Sequence, residues 1–299
     1  MPHERIDLRK YLVVSIWFGC NNDCSICMLA GLKESLPPLR CDQYRRLLRR
    51  VAAEGHFRNL ILSGAEVTML DDLDEYVRFA ASLRCFDRIQ IQTNGRRLSD
   101  RRYLEGLIDC GVNEFFISIH GREEVHDGIT RRPGSFRQTV AGLENLSAFD
   151  SVRVISNTVL SKRNCRDIPP LLAFLSQKRI DEFHLWNFFP LEGADDRDLV
   201  VSLEEFAGGL LPRACAAVRP SGRPLVLKGF PECLPAEEPA CFDSGFPVTV
   251  LPDLFWRKFG QGGFGACPRR GECRAKECWG LSGAYIRRYG DERDRLHPL

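Results

Sequence analysis

Charge of one sign is missing from this sequence: 42 lysines and arginines stand against 40 aspartates and glutamates in 299 residues. Nothing in that balance calls for a nucleic-acid partner, and the basic run Arg45, Arg46, Arg49 and Arg50 reads as a solvated helix face. No apolar stretch approaches the roughly 20 residues that cross a bilayer. The start, Met1 to Asp7, is polar and lacks the apolar core of a signal peptide. A cytoplasmic chain with no membrane contact is expected. The glycine-rich stretch 259–265 lacks the Lys-Ser/Thr of a phosphate loop. Cysteine, by contrast, is plentiful. Thirteen cysteines, an odd number, in a reducing compartment point away from disulfides and toward metal or redox chemistry.

Strand-like and helix-like segments alternate over the first two thirds. Tyr11–Phe18 is an apolar run suited to a buried parallel strand, and further strands are expected at 59–62, 88–92, 114–119, 152–160 and 183–189. Between them, helices are expected with Asp42, Asp71 or Asp72, and Ser99 at their starts, and Gly111 as a stop. Ser135 and Gln138 make a capping-box pattern, and Pro169 and Pro170 fit only a first helical turn. Six such repeats imply parallel strands with right-handed crossovers. They are too few for a closed eight-stranded barrel, so an open partial barrel or a doubly wound sheet is expected. After about residue 190 the pattern changes. One more helix is expected over 204–218, and then proline, glycine and five cysteines crowd together. A boundary is therefore expected near residue 200. A core over 1–199 would precede a cysteine-rich extension over 200–299, whose thin core metal crosslinks would support.

Cys20, Cys24 and Cys27 form a C-x3-C-x2-C array directly after the first strand. Three thiolates on one loop can bind three irons of a cubane cluster and leave the fourth iron open. A structural zinc site would need a fourth ligand, and none lies nearby in sequence. The loop also sits at the carboxyl end of a strand, where α/β folds place their sites.

The array Cys20-Asn-Asn-Asp-Cys24-Ser-Ile-Cys27 resembles the cluster loop of the radical S-adenosylmethionine (SAM) superfamily, with Ile26 where an aromatic is usual. Ser63-Gly64-Ala65-Glu66 resembles the family's Gly-Gly-Glu element, with Ala65 replacing the second glycine. Thr93-Asn94-Gly95 follows the third strand, as such a triplet commonly does in this family. Ile117 to Gly121, His126-Asp127 and Gly134 to Phe136 resemble the fourth-strand region of the peptide-modifying and molybdopterin-precursor branches. The resemblance covers residues 11 to 190 and implies an α/β fold, a partial (β/α)6 TIM-like barrel. It implies that Cys20, Cys24 and Cys27 hold a [4Fe-4S] cluster. Ser63, Gly64, Ala65, Glu66, Asn94, Ser118, Arg131 (or Arg132) and Asn157 would contact SAM. An external donor such as flavodoxin or ferredoxin would reduce the cluster, and SAM cleavage would give a 5'-deoxyadenosyl radical that removes a substrate hydrogen atom. The reactivity then belongs to the cofactors, so no acid–base pair or triad is needed. His120 stands at a strand end and could contact substrate.

Cys267, Cys273 and Cys278, with Cys233 upstream, resemble a twitch or shortened SPASM extension, which implies a second, auxiliary [4Fe-4S] cluster. The alternative is a zinc site closed by the same four cysteines. Cys41, Cys85, Cys110, Cys165 and Cys215 are scattered and carry no assigned role. The substrate would be a peptide or protein side chain, or a small metabolite. A non-catalytic iron–sulfur or zinc protein is a third reading, opposed by the SAM motifs. About ten residues precede the first strand, so a leader peptide would dock on the core or on a separate recognition protein.

Overall fold

The computed structural model describes residues 8–191, 194–235 and 237–299; the polar start at 1–7 lies outside the described residues. Each expected strand forms, within a residue or two of its expected ends: β1 (Tyr11–Trp17), β2 (Asn59–Gly64), β3 (Arg88–Thr93), β4 (Glu114–Ser118), β5 (Arg153–Leu160) and β6 (Glu182–Asn187). All pair in parallel and in chain order, as strands joined by helical crossovers should. The crossovers are α1 (Cys41–Glu54), α2 (Leu73–Ser82), α3 (Arg101–Cys110), α4 (Glu123–Thr130), α5 (Ser135–Leu146) and α6 (Ile168–Ser176). In α1, Tyr44, Leu48 and Val51 recur on the helical period and are buried against the sheet.

Several helix starts differ from expectation for local reasons. Asp42 lies inside the first turn of α1, and Arg40 is its cap. Asp100, not Ser99, caps α3 by accepting from Arg102 N at 3.0 Å and Tyr103 N at 3.3 Å, because Ser99 Oγ instead donates to Arg96 O. Gly134 begins α5 with φ 80°, and Ser135 Oγ turns back to Asp127 Oδ1 at 2.8 Å. That carboxylate also accepts from Gly134 N and Phe136 N, so Asp127 organises the α4–α5 turn that the capping-box pattern misassigned. The short helix α4 was not expected at all.

The largest departure concerns the tail. The sheet has nine strands among the described residues, in the order β8-β7-β6-β5-β4-β3-β2-β1-β9. The extra strands β7 (Leu225–Lys228), β8 (Ala240–Phe242) and β9 (Val248–Val250) all come from beyond residue 200. They escaped sequence reading because two are three residues long and all lie among prolines and glycines. Before them, α7 (Leu203–Glu205) passes through a π-helical turn at Phe206–Leu210 into α8 (Leu211–Val218), near the expected single helix. Helices α9 (Asp253–Phe259) and α10 (Gly283–Tyr289) follow the sheet.

Strands β8 and β9 lie at opposite edges, yet only residues 243–247 join them. A link that short spans at most roughly 20 Å. The sheet must therefore curl until its edges nearly meet, while the hydrogen-bond ladder stays open. This is a partial barrel, not a closed one. Lys228 Nζ fixes the link by donating to Asp243 Oδ2 at 2.7 Å and Gly245 O at 3.2 Å.

Inside the curl, alternate residues face inward. Arg153 of β5 reaches Glu114 of β4 at 3.0 Å and Glu182 of β6 at 2.5 Å, with both carboxylates buried. Replacing Arg153 by alanine leaves two interior carboxylates without their counter-charge. A loss of about 3–5 kcal/mol is expected in chemical denaturation; a loss within 0.5 kcal/mol would mean the pair contributes no net interaction.

Candidate active site

The loop after β1 carries Cys20, Cys24 and Cys27 and has little regular structure of its own. Neighbouring loops hold it. Trp17 O accepts from Ala65 N at 2.8 Å, and Gly19 O accepts from Glu66 N at 3.0 Å. Asn94 Nδ2 donates to Asn21 Oδ1 at 2.6 Å. One Arg96 nitrogen donates to Asn21 O and Asn22 Oδ1, each at 2.7 Å. On the far side, Asp23 N and Ser25 N donate to Thr130 O and Ile129 O at the end of α4. Burial pushes all three thiols up, Cys24 to about 12, so metal binding must displace their protons.

The turn after β2 depends on Gly64. Its φ is 141°, and a Cβ there would sit 1.9 Å from Trp17 O. Ala65 needs no such conformation, which accounts for alanine in place of a second glycine. Glu66 is fully buried. Its Oε1 accepts from Thr68 N, Thr68 Oγ1 and Thr93 Oγ1, and its Oε2 from Asn94 N. Burial raises the carboxyl's pKa, and these donors pull it back. The side chain of Glu66 thus ties the β2 turn to the β3 turn.

These turns ring a cavity of about 790 Å³. Cys20, Cys24, Cys27, Ser63, Gly64, Ala65, Glu66, Asn94, Ser118, His120 and Asn157 all line it. Arg131 does not line it: its guanidinium pairs with Asp23 at 3.3 Å on the outside of the cysteine loop. The donor set fits an iron–sulfur cluster with SAM. Three soft thiols face the cavity, and Asn157 Oδ1 is buried with no hydrogen-bond partner among the described residues. Among those residues, no three His, Cys, Asp or Glu side chains converge as ligands of one ion would. Thiolates on different irons of a cubane need not converge on one point.

His120 and His126 stack with ring centroids 6.0 Å apart. Burial holds His120 down at about 3 and His126 at about 4, so both stay neutral. Each Nδ1 accepts a backbone N–H, from Val159 and His120 respectively, which places each ring proton on Nε2. Sequence reading passed over Gln92, Phe116 and Arg96. The polar residues at alternate positions in Arg88–Thr93 were the signal for Gln92.

In the tail, Cys233, Cys267 and Cys278 lie near enough for their charges to be felt by one another, without converging as ligands of one ion would. Burial pushes the Cys233 and Cys278 thiols up, and neighbouring thiols add to the effect: Cys278 and Cys267 on Cys233, Cys267 on Cys278. Cys273 Sγ accepts from Leu299 N at 3.4 Å. Cys278 and Trp279 also line the large cavity, so this group borders the first site.

The model of the Radical SAM superfamily matches residues 14–175, more than half of the chain. The chain belongs to the radical SAM superfamily. It is 32% identical over 185 residues to the AdoMet-dependent heme synthase of Methanosarcina barkeri, covering 61% of this chain and 51% of that protein. It is 32% identical over 184 residues to a probable GTP 3',8-cyclase of Metallosphaera sedula, covering 60% and 56%. The sporulation killing factor maturation protein SkfB of Bacillus subtilis is 27% identical over 161 residues, covering 52% and 38%. The chain thus spans about half the length of these curated relatives or less. Its fold is similar to that of native anSMEcpe with bound AdoMet (TM-score 0.57, 15% identity, 70% of this chain and 59% of that one). It is also similar to Streptococcus suis SuiB bound to precursor peptide SuiA (TM-score 0.53, 19% identity, 62% and 40%).

In this radical SAM chain the two substitutions at the β2 turn should separate cleanly. Gly64→Ala forces a Cβ into Trp17 O and should weaken SAM binding at least tenfold in calorimetry, whereas Ala65→Gly should leave it within about threefold. Equal effects from the two would contradict the turn geometry.

Proposed function

We propose that this enzyme cleaves SAM reductively at a [4Fe-4S] cluster held by Cys20, Cys24 and Cys27, and takes a hydrogen atom from a peptide or protein side chain. The observation that carries this reading is the gathering of those cysteines with Ser63, Gly64, Ala65, Glu66, Asn94, Ser118 and Asn157 around one cavity. When bound, the cluster and SAM supply the 5'-deoxyadenosyl radical, with an electron from an external donor such as flavodoxin or ferredoxin. The chain's own residues bind and orient. Asn157 Oδ1 offers an unused acceptor, and Ser118 an adjacent hydroxyl, to the SAM ribose or amino group. Glu66 keeps the β2 turn in place, and Arg131 steadies the cysteine loop from outside.

Much of the remaining wall is aromatic, with Trp186, Phe189, Phe246, Phe264 and Trp279. Such a wall excludes water and competing hydrogen donors from a reactive centre. It supports a side-chain substrate better than a nucleoside triphosphate, since its cations are few and Glu277 stands beside Lys276. The relationship to SkfB and the likeness to SuiB with its precursor peptide agree with a peptide maturase. The relationship to GTP 3',8-cyclases favours the second reading, a small-metabolite substrate. Residues 1–199 act as the radical SAM core. Residues 200–299 form a twitch- or SPASM-like extension whose Cys233, Cys267, Cys273 and Cys278 hold an auxiliary [4Fe-4S] cluster. A separate recognition protein would present the peptide, and the chain would work in the cytoplasm.

Under reducing, oxygen-free conditions the enzyme should form 5'-deoxyadenosine from SAM, and Cys24→Ala should abolish it. Formation at the parent rate by that variant would refute the cluster assignment. Adding peptides from neighbouring small reading frames, or GTP, should stimulate turnover with the peptide alone; stimulation by GTP alone would establish the second reading. Iron and sulfide analysis tests the tail. A variant with Cys20, Cys24 and Cys27 all changed to alanine should retain about four irons. Zinc without iron would make the tail a structural clip.

A further inference from the structure

The turn after β3 sends one cation to the cysteine loop from outside the cavity. Arg96 is half-buried and does not line the cavity, so it touches neither SAM nor substrate. Its guanidinium bridges two further elements. Nη1 donates to Asn21 O and Asn22 Oδ1, each at 2.7 Å, and Nε donates to Gln138 Oε1 of α5 at 2.7 Å. Arg96 N also donates to Asn94 Oδ1 at 3.0 Å, which fixes the turn itself. A planar fork serves Gln138 and the loop together; a lysine ammonium has no such fork.

Asn22 passes the contact on. It is 5% exposed, and its N–H donates to Cys20 Sγ at 3.3 Å. From Arg96 Nη1 through Asn22 to that sulfur the path is roughly 10 Å. The charge on Arg96 is also uncompensated. Among the described residues its side chain donates to carbonyl oxygens and to no carboxylate, whereas the Arg131 guanidinium at the same loop pairs with Asp23. A guanidinium keeps its charge throughout the working pH range. Its field reaches the site: after burial, and against the pull of Asp127, it helps to hold His126 in the cavity wall below the ordinary histidine pKa.

We propose that Arg96 raises the reduction potential of the cluster held by Cys20, Cys24 and Cys27, its charge acting across Asn22 on the Cys20 sulfur. The proposal rests on the cluster reading above. The electron comes from the external donor and makes the cluster more negative. A cation close by, and an N–H on a cluster sulfur, both favour that reduced state. A unit charge roughly 10 Å away, at an effective dielectric of about 20, shifts such an equilibrium on the order of tenfold. Arg96 is thus a positioning residue with two separable parts. Holding the loop needs the fork, and setting the potential needs the charge.

The test is a redox titration of the cluster-loaded enzyme, read by the EPR signal of the reduced cluster that SAM perturbs, with iron per chain measured alongside. Arg96→Gln should cut the reduced-to-oxidised ratio at a fixed potential about tenfold, a fall of about 59 mV for one electron. Arg96→Lys keeps the charge and loses the fork, so its ratio should stay within about threefold of the parent's while less iron is retained. A purely structural clamp would leave both variants at the parent's potential in whatever cluster they hold. That result, or an Arg96→Lys potential as low as that of Arg96→Gln, overturns the proposal. If Arg96→Gln binds no iron, Gln138→Glu decides, because it keeps the hydrogen bond to Nε and cancels the charge. A ratio lowered at least threefold supports the proposal, and an unchanged one refutes it. A parent enzyme without a SAM-responsive cluster would defeat the cluster reading itself. A SAM-responsive cluster whose potential ignores these substitutions would defeat only the role of Arg96.

Discussion

Three thiols can share one cluster only if the backbone between them keeps its course, and the loop from Cys20 to Cys27 has no ladder of its own to keep it there. Its geometry is borrowed. The β2 turn donates through Ala65 and Glu66, the β3 turn through Asn94 and Arg96, and the end of α4 accepts from Asp23 and Ser25. Each tie comes from a different crossover unit, so the loop is correctly placed only after four strands have assembled. Gly64 has the least freedom of these parts, since its backbone runs against Trp17 O where no side chain fits. Preorganisation of this kind lets binding energy go to the cofactors instead of to ordering the loop.

The same strands set the chemistry of the interior through their twofold alternation. Glu114, Phe116 and Ser118 succeed one another up the inner face of β4, and Arg153, Ile155 and Asn157 do so on β5. The lower positions form the Glu114–Arg153–Glu182 ion set, the middle ones are apolar, and the upper ones present hydroxyl and amide groups to the large cavity. The barrel thus changes character with depth. Burial of that ion set is sustainable because each carboxylate meets the same guanidinium at 2.5–3.0 Å.

The tail covers the open side of the curl. Residues 243–247 cross from β8 to β9, held by Lys228 from within and by Trp279 Nε1, which donates to Ser244 O at 3.1 Å. Phe246 lies tilted against Trp279 with centroids 4.3 Å apart, and Trp279 follows Cys278 directly. Trp279 also meets Phe189, Phe259 and Phe264, so the cysteine group adjoins the cavity wall through several aromatic contacts.

The sequence alone determined the six-strand parallel core and the spacing of the cysteine loop, while the turn Ser63 to Glu66, Ser118 and Asn157 stood out only through their resemblance to the family. The core and the loop are local features: apolar period and ligand spacing lie within a few residues of one another. Tertiary structure decided the rest. Arg131 looked available to SAM until folding set Asp23 beside it, and Asp127 rather than a capping box proved to shape the α4–α5 turn. Strands β7 to β9 carry too little pattern to be read, because three or four residues acquire strand geometry only from the partner they pair with. The nearness of Cys233 to Cys267 and Cys278 has the same origin: residues so far apart in sequence become neighbours only after the curl has closed.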